Sequence, residues 1–225
     1  LHLSIRRQRQ MCIRDRTKAI IMFQPIKERC AALANNFKEI PSASKELLEK
    51  IAAYIKTKQK SNETINLIYV CTHNSRRSHL GQVWSAVAAA YYGVGNVSTF
   101  SGGTEATAFN PNAIAALTAA GFTIKKTDES NNPVYEVFFA DDRFTTCFSK
   151  VYNHKANPME NFAAVMTCSD ADENCPFIPG CDLRIGTTYN DPKAFDNTIL
   201  QNEKYTERSN QIAMECLYVF SKVVE

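Results

Sequence analysis

Four short runs along the chain are apolar without alternation: NLIYVC at 66–71, the VSTF of NVSTFSGG at 96–103, NFAAVMTC at 161–168 and the core of DLRIGTTYN at 182–190. Runs of this length read as strands buried on both faces. Between them the apolar positions follow helical spacing. SHLGQVWSAVAAAYYG predicts a helix that stops at Gly93, and 111–120 predicts another that stops at Gly121. The stretch 201–224 predicts a closing helix with Ile212, Cys216, Val219, Phe220 and Val223 on one side. Upstream, PSASKELLEKIAAYIKTKQK places Leu47, Leu48, Ile51, Tyr54 and Ile55 at helical spacing, with Ser42 or Ser44 as the cap. Residues 125–160 are less regular, and their aromatic and β-branched content predicts a short hairpin inside an insertion. Alternating strands and helices imply an α/β fold: a four-stranded parallel sheet in a three-layer sandwich, with an N-terminal helical extension. The domain reading is a leader at 1–21, the extension at 22–62 and one α/β domain at 63–225.

Composition refines this picture at one point. Residues 1–16, LHLSIRRQRQMCIRDR, hold five Arg and one Asp, which leaves the rest near −1 against a whole-chain charge of +3. Nucleic-acid binding therefore has no electrostatic support. The leader has no apolar periodicity and reads as translated adapter sequence, or else as a disordered basic tail; on the first reading Met22 is the natural start. No stretch has the length of a membrane span or the order of a secretory signal. The chain holds 8 cysteines, and its good core argues for a reducing, cytoplasmic setting with thiols used for chemistry.

Cys71, Ser101, Cys168 and Asp191 all fall at or just beyond strand ends, where ligands of such sheets bind. Cys71 is followed by Thr72, His73, Asn74, Ser75, Arg76, Arg77 and Ser78. A loop from a strand into a helix N-terminus turns backbone N–H groups inward, and the helix dipole adds positive potential. A tetrahedral oxyanion fits such a cradle. Arg77 can grip two of its oxygens, and the same field favours a thiolate. Ser78 is placed to donate to the sulfur, and Asn74 to brace the loop. The competing reading is a buried, inert cysteine in an ordinary strand-to-helix connection.

VCTHNSRRS resembles the phosphate-binding loop, C-x-x-N-x-x-R-S, of the low-molecular-weight protein-tyrosine-phosphatase superfamily. Ser101–Gly102–Gly103 is similar to that family's second loop, and Asp191–Pro192 to its aspartate–proline pair. The resemblance runs from about 66 to the C-terminus, apart from much of 125–160. It implies that Asp191 is the general acid. TCSDADENCP, from Thr167 to Pro176, further resembles the thioredoxin-coupled arsenate reductases, in which a phosphatase-like loop is joined to a thiol relay. That implies attack on arsenate by Cys71, resolution by Cys168 and transfer to Cys175, with thioredoxin as the external reductant. Disulfide partners need Cα atoms within about 7 Å, so the segment 168–175 is expected to open as a solvated loop. No tightly bound cofactor is implied.

The match has departures. His73 stands where the family has Gly, Arg76 where Cys is frequent, and Lys193 where phosphatases often carry an aromatic. Gln82 replaces a glutamate that helps hold potassium in some arsenate reductases, leaving Asn74 and Ser101 as remaining ligands for that ion. A zinc site at Cys168, Cys175 and Cys181 lacks both a C-x-x-C pair and a nearby His. Cys30 and Cys216 read as core, while Cys147 and Cys181 have no evident partner. Two alternatives stay open: a phosphatase acting on phosphotyrosine or small phosphoesters through a Cys71 phosphocysteine, and a non-catalytic oxyanion or redox sensor.

Overall fold

A computed structural model describes residues 20–175 and 177–225. The reading of the leader at 1–19 lies outside the described residues. Ile20, which the sequence reading put in the leader, packs against the core; Met22 is buried, and the Phe23 amide donates to the Phe139 carbonyl at 2.9 Å.

The extension forms two helices, α1 (Gln24–Ala34) and α2 (Ser42–Lys60), joined by a 3-10 turn at Phe37–Glu39. Neither Ser42 nor Ser44 caps α2. Pro41 holds the cap position and no side chain caps the helix, because Ser42 is already its first helical residue. The rigid φ of proline suits a helix entry. Leu48, Ile51, Ala52 and Ile55 are buried on one stripe as their spacing requires.

The main sheet contains β1 (Ile65–Cys71), β2 (Val97–Gly103), β6 (Phe162–Met166) and β7 (Cys181–Gly186), in the order β2-β1-β6-β7. All three pairings are parallel. Strand β1 is central and almost wholly buried, which explains its unbroken apolar run. On one face Leu67, Tyr69, Ala163, Val165 and Ile185 join the large core formed with α3 (Arg77–Tyr91) and α6 (Gln201–Val224). The helix α4 (Pro111–Ala119) packs into the same layer. On the other face Ile68, Val70, Phe162, Ala164 and Met166 form a smaller cluster beneath α5 (Ser169–Asn174). The predicted α/β sandwich is present, with a thick helical layer on one side and a thin one on the other.

Glycine is required where α3 crosses the sheet. A Cβ on Gly81 would sit 2.3 Å from the ring of buried Tyr69. Gly81→Ala is therefore expected to cost about 1–3 kcal/mol through overpacking, read as a lower denaturant midpoint with an unchanged slope.

The insertion holds more than the expected hairpin. Strands β3 (Thr123–Lys126), β4 (Tyr135–Ala140) and β5 (Arg143–Cys147) make an antiparallel meander in the order β3-β4-β5. The extra strand, TIKK, is short, largely exposed and charged, so its sequence carries no apolar alternation. After β5 the chain returns to β2, where Gly103 bridges to Val151.

Candidate active site

Strand β1 delivers Cys71 to the carboxyl end of the sheet, and α3 begins at Arg77. The intervening loop is fixed largely from its own backbone. Glu105 donates to the Thr72 carbonyl at 2.8 Å, Thr107 Oγ1 to the His73 carbonyl at 3.0 Å and Asn110 to the Ser75 carbonyl at 2.9 Å. Ser75 Oγ donates to the Ala108 carbonyl at 2.7 Å, so its side chain ties the loop down. Gly103 ends β2 against this turn. A Cβ there would lie 2.6 Å from the Thr72 carbonyl oxygen and 2.7 Å from the Asn74 nitrogen, which accounts for the glycine at 103.

The position with positive φ is Asn74, at 43°, and not His73. Asparagine tolerates that region, so a histidine at 73 brings no left-handed strain. Asn74 is buried and does two things. Its Oδ1 accepts the Lys150 amide at 2.8 Å, and its Nδ2 donates to Ser78 Oγ at 2.8 Å. Ser78 Oγ in turn stands 3.0 Å from Cys71 Sγ. Because the serine oxygen already accepts from Asn74, its own hydrogen is left for the sulfur.

Arg77 is buried, and its guanidinium Nη1 donates to the Tyr189 carbonyl at 2.8 Å. Nη2 pairs with Asp191 Oδ2 at 2.7 Å. Nε is buried without a partner among the described residues. Asp191 also caps the 3-10 turn Pro192–Phe195 through the Lys193 amide at 3.0 Å. The fold thus brings Cys71, Ser78, Arg77 and Asp191 to one strand-end site. Arg76 Nε lies 4.0 Å from Asp191 Oδ1, and its guanidinium is engaged beyond the loop as well. Its Nε donates to Tyr205 at 2.7 Å, and its Nη2 reaches Asp196 at 3.3 Å. Those partners lie more than 100 residues downstream, and no local motif announces them. His73 is about half exposed, with Nε2 3.9 Å from Glu105.

Cys168 lies close to this loop. Thr167 donates both its amide and its hydroxyl to the Val70 carbonyl, at 2.7 and 2.8 Å. That pairing sets Cys168 beside the end of β1. Its sulfur is buried 3.4 Å from Thr72 Oγ1, and Cys71 and Cys168 share one apolar cluster. The acidic run after Cys168 is helical, whereas the sequence reading made it a loop. The Cys168 sulfur accepts the Ala171 amide at 3.4 Å as the N-cap of α5, and buried Ala171 seats the helix on the sheet. Arg184 of β7 fastens the far end, donating to the Cys175 carbonyl at 2.9 Å and pairing with Asp172 at 2.7 Å.

Ser101 is buried with Oγ 3.1 Å from His79 Nδ1. Burial, reinforced by the Lys150 charge, holds the His79 pKa well below the usual range, so the ring is neutral. Gln82 Nε2 donates to Thr145 Oγ1 at 2.8 Å and to the Thr146 carbonyl at 2.9 Å. Lys150 is buried, and desolvation lowers its pKa to about 8 against a small opposing effect of Cys147. A buried amine that is easier to deprotonate folded than unfolded destabilises the protein while it is charged. Stability should therefore rise as the pH climbs from about 8 to about 10.5. Lys150→Met, which keeps the backbone bonds to Asn74 and Gly103, should lose that rise. At pH 7 it should be more stable by on the order of 2–3 kcal/mol in urea unfolding.

The remaining thiols separate by environment. Burial pushes Cys30, Cys147 and Cys216 up to about 12, which suits inert core positions. Cys175 and Cys181 are partly buried against the cluster that holds Cys71 and Cys168. Among the described residues no group of three or more His, Cys, Asp or Glu side chains is arranged to hold a metal ion, and no helix is long and apolar enough to cross a membrane.

No family model matches the chain. Curated relatives do. Arsenate reductase 2 of Staphylococcus epidermidis is 26% identical over 132 residues, spanning 56% of this chain and 77% of that protein. Arsenate reductase 2 of Staphylococcus haemolyticus is 27% identical over 119 residues, spanning 50% of this chain and 67% of its own. Among solved structures, an arsenate reductase in the phosphate-binding state aligns with 71% of this chain and 99% of its own, at 15% identity and a TM-score of 0.49. A mutant of YwlE from Bacillus subtilis aligns with 72% of this chain and 100% of its own, at 12% identity and a TM-score of 0.48. The sequence relatives bear out the resemblance read from the loop motifs.

Proposed function

We propose that the chain is an arsenate reductase that passes its oxidising equivalents through Cys168 and Cys175 to thioredoxin in the cytoplasm. The observation that carries this reading is the contact of the Cys168 sulfur with Thr72, the residue after Cys71, within one apolar cluster. The sequence likeness to arsenate reductases supports it.

The chemistry follows from the groups at hand. Arsenate enters the cradle against the α3 N-terminus and takes the free Arg77 Nε–H. The Cys71 thiolate, steadied by Ser78, attacks arsenic, and Asp191 gives a proton to the departing hydroxide. Cys168 thiolate then attacks the Cys71 sulfur. The sulfur–arsenic bond breaks with its electron pair on arsenic, so As(V) leaves as arsenite and a Cys71–Cys168 disulfide remains. Cys175 attacks Cys168 and frees Cys71, and the dithiol of thioredoxin reduces the Cys168–Cys175 disulfide.

Potassium does not suit this arrangement. Asn74 Oδ1 is occupied by the Lys150 amide, and the Lys150 ammonium acts on His79, whose ring bonds Ser101. A further cation beside that charge is repelled.

The test is arsenite production with thioredoxin, thioredoxin reductase and NADPH, run beside hydrolysis of an aryl phosphate. Turnover of arsenate with NADPH consumption supports the reading. Aryl-phosphate hydrolysis with no arsenite overturns it in favour of the phosphatase. One observation favours that second reading: α5 is folded, and the seven residue steps from Cys168 to Cys175, at helical rise, would set them about 10 Å apart. Tight anion binding with neither turnover would instead mark a sensor.

A further inference from the structure

We propose that the outer edge of β2 docks an extended, acidic peptide segment of a partner polypeptide. The register fixes which backbone groups point where. Ile65 donates to the Asn96 carbonyl at 2.9 Å, so even-numbered residues of β2 face β1 and odd-numbered ones face outward. At the far end the outward groups are used: Ser101 accepts from Asn157, and Gly103 bonds to Lys150 and Tyr152. Val97 and Thr99 are partly exposed, and their outward N–H and C=O groups have no partner among the described residues.

That free edge borders a cleft of about 1590 Å³, whose opposite wall includes β5. Strand β5 is itself the edge of the second sheet. The two sheets meet at the Gly103–Val151 bridge, and residues of both strands line the cleft that opens beyond it. An added strand needs only about 4.8 Å of lateral room and covers β2 from 97 to 100 with about four residues. Peptide addition to such an edge takes its affinity from the backbone and its selectivity from the side chains. Here the exposed charged residues of the lining are Lys27 and Arg143, with Lys150 buried behind them and no Asp or Glu in the lining. None of the three joins an ion pair within the described residues. Tyr91 and Phe139 supply apolar wall. Charge complementarity therefore selects carboxylates on the incoming strand.

The experiment titrates the full chain with a capped Glu-Val-Glu-Val-Glu-Val peptide and follows amide hydrogen exchange. Saturating peptide should slow exchange at Val97 and Thr99 at least about tenfold, and the Lys-Val counterpart should bind about tenfold more weakly at low salt. Thr99→Pro removes an outward N–H without touching the β1 ladder and should abolish binding. An N-methylated acidic peptide on the unaltered chain should fail likewise, which guards against misfolding of the variant. The proposal is overturned if Val97 and Thr99 are not protected, or if the basic peptide binds equally. It is also overturned if hexanoate gives the same protection, which would make the cleft a small-molecule pocket.

Discussion

Cys71→Ser should abolish arsenite production and aryl-phosphate hydrolysis together, each by about 10⁴-fold or more. The effect is this large because both reactions begin with the same nucleophile. The sulfur stands 3.0 Å from Ser78 Oγ, inside a cradle whose helix N-terminus and Arg77 favour an anion. A serine hydroxyl, unlike a thiol in this cradle, stays protonated at neutral pH and is a weak nucleophile until a base takes its proton. The substitution removes only polarisability and a small volume from a buried position, so the fold should persist. Phosphate affinity, measured by calorimetry, is the control: it should change by less than about threefold, since the loop N–H groups and Arg77 are untouched. Retention of either activity would show that the nucleophile lies elsewhere.

Cys168→Ser and Cys175→Ser should each lower steady-state arsenite formation by about 10³-fold, while aryl-phosphate hydrolysis stays within about threefold of the parent. The two variants differ in a single turnover. Without Cys168 the proposed relay loses the thiol beside Thr72 that attacks the Cys71 sulfur, and Cys175 is held at the far end of α5 by Arg184. No arsenite should appear. Without Cys175 the Cys71–Cys168 disulfide still forms, so one equivalent of arsenite should appear before the protein stalls. Quenched-flow arsenite counting separates the two outcomes. Equal bursts from both variants would break the order of the relay.

The parts of the site legible in the sequence are those built from contiguous chain. The apolar run into Cys71, the turn into α3 and the thiol after β6 are each one strand and its next few residues. Asp191 was legible because Asp191–Pro192 resembles an aspartate–proline pair known from low-molecular-weight phosphatases. What escaped was set by partners distant in sequence. Arg76 reads only as a residue of the cradle run, and nothing local announces the Tyr205 hydroxyl that α6 brings beside it. Lys150 sits in an irregular segment whose return to β2 nothing local dictates. The α5 helix was hidden by composition. SDADEN is made of residues that favour caps and turns, and its helicity comes from buried Ala171, the Cys168 sulfur cap and the Arg184 clamp.

That last clamp ties the protein's chemical state to its shape. With α5 wound, Cys168 and Cys175 stand too far apart to bond, so on the proposed relay a spent protein is one whose short helix has come undone. A reductant that grips extended chain would then recognise exhausted molecules alone and leave charged ones free to work, with the Arg184 guanidinium deciding how readily one form passes into the other.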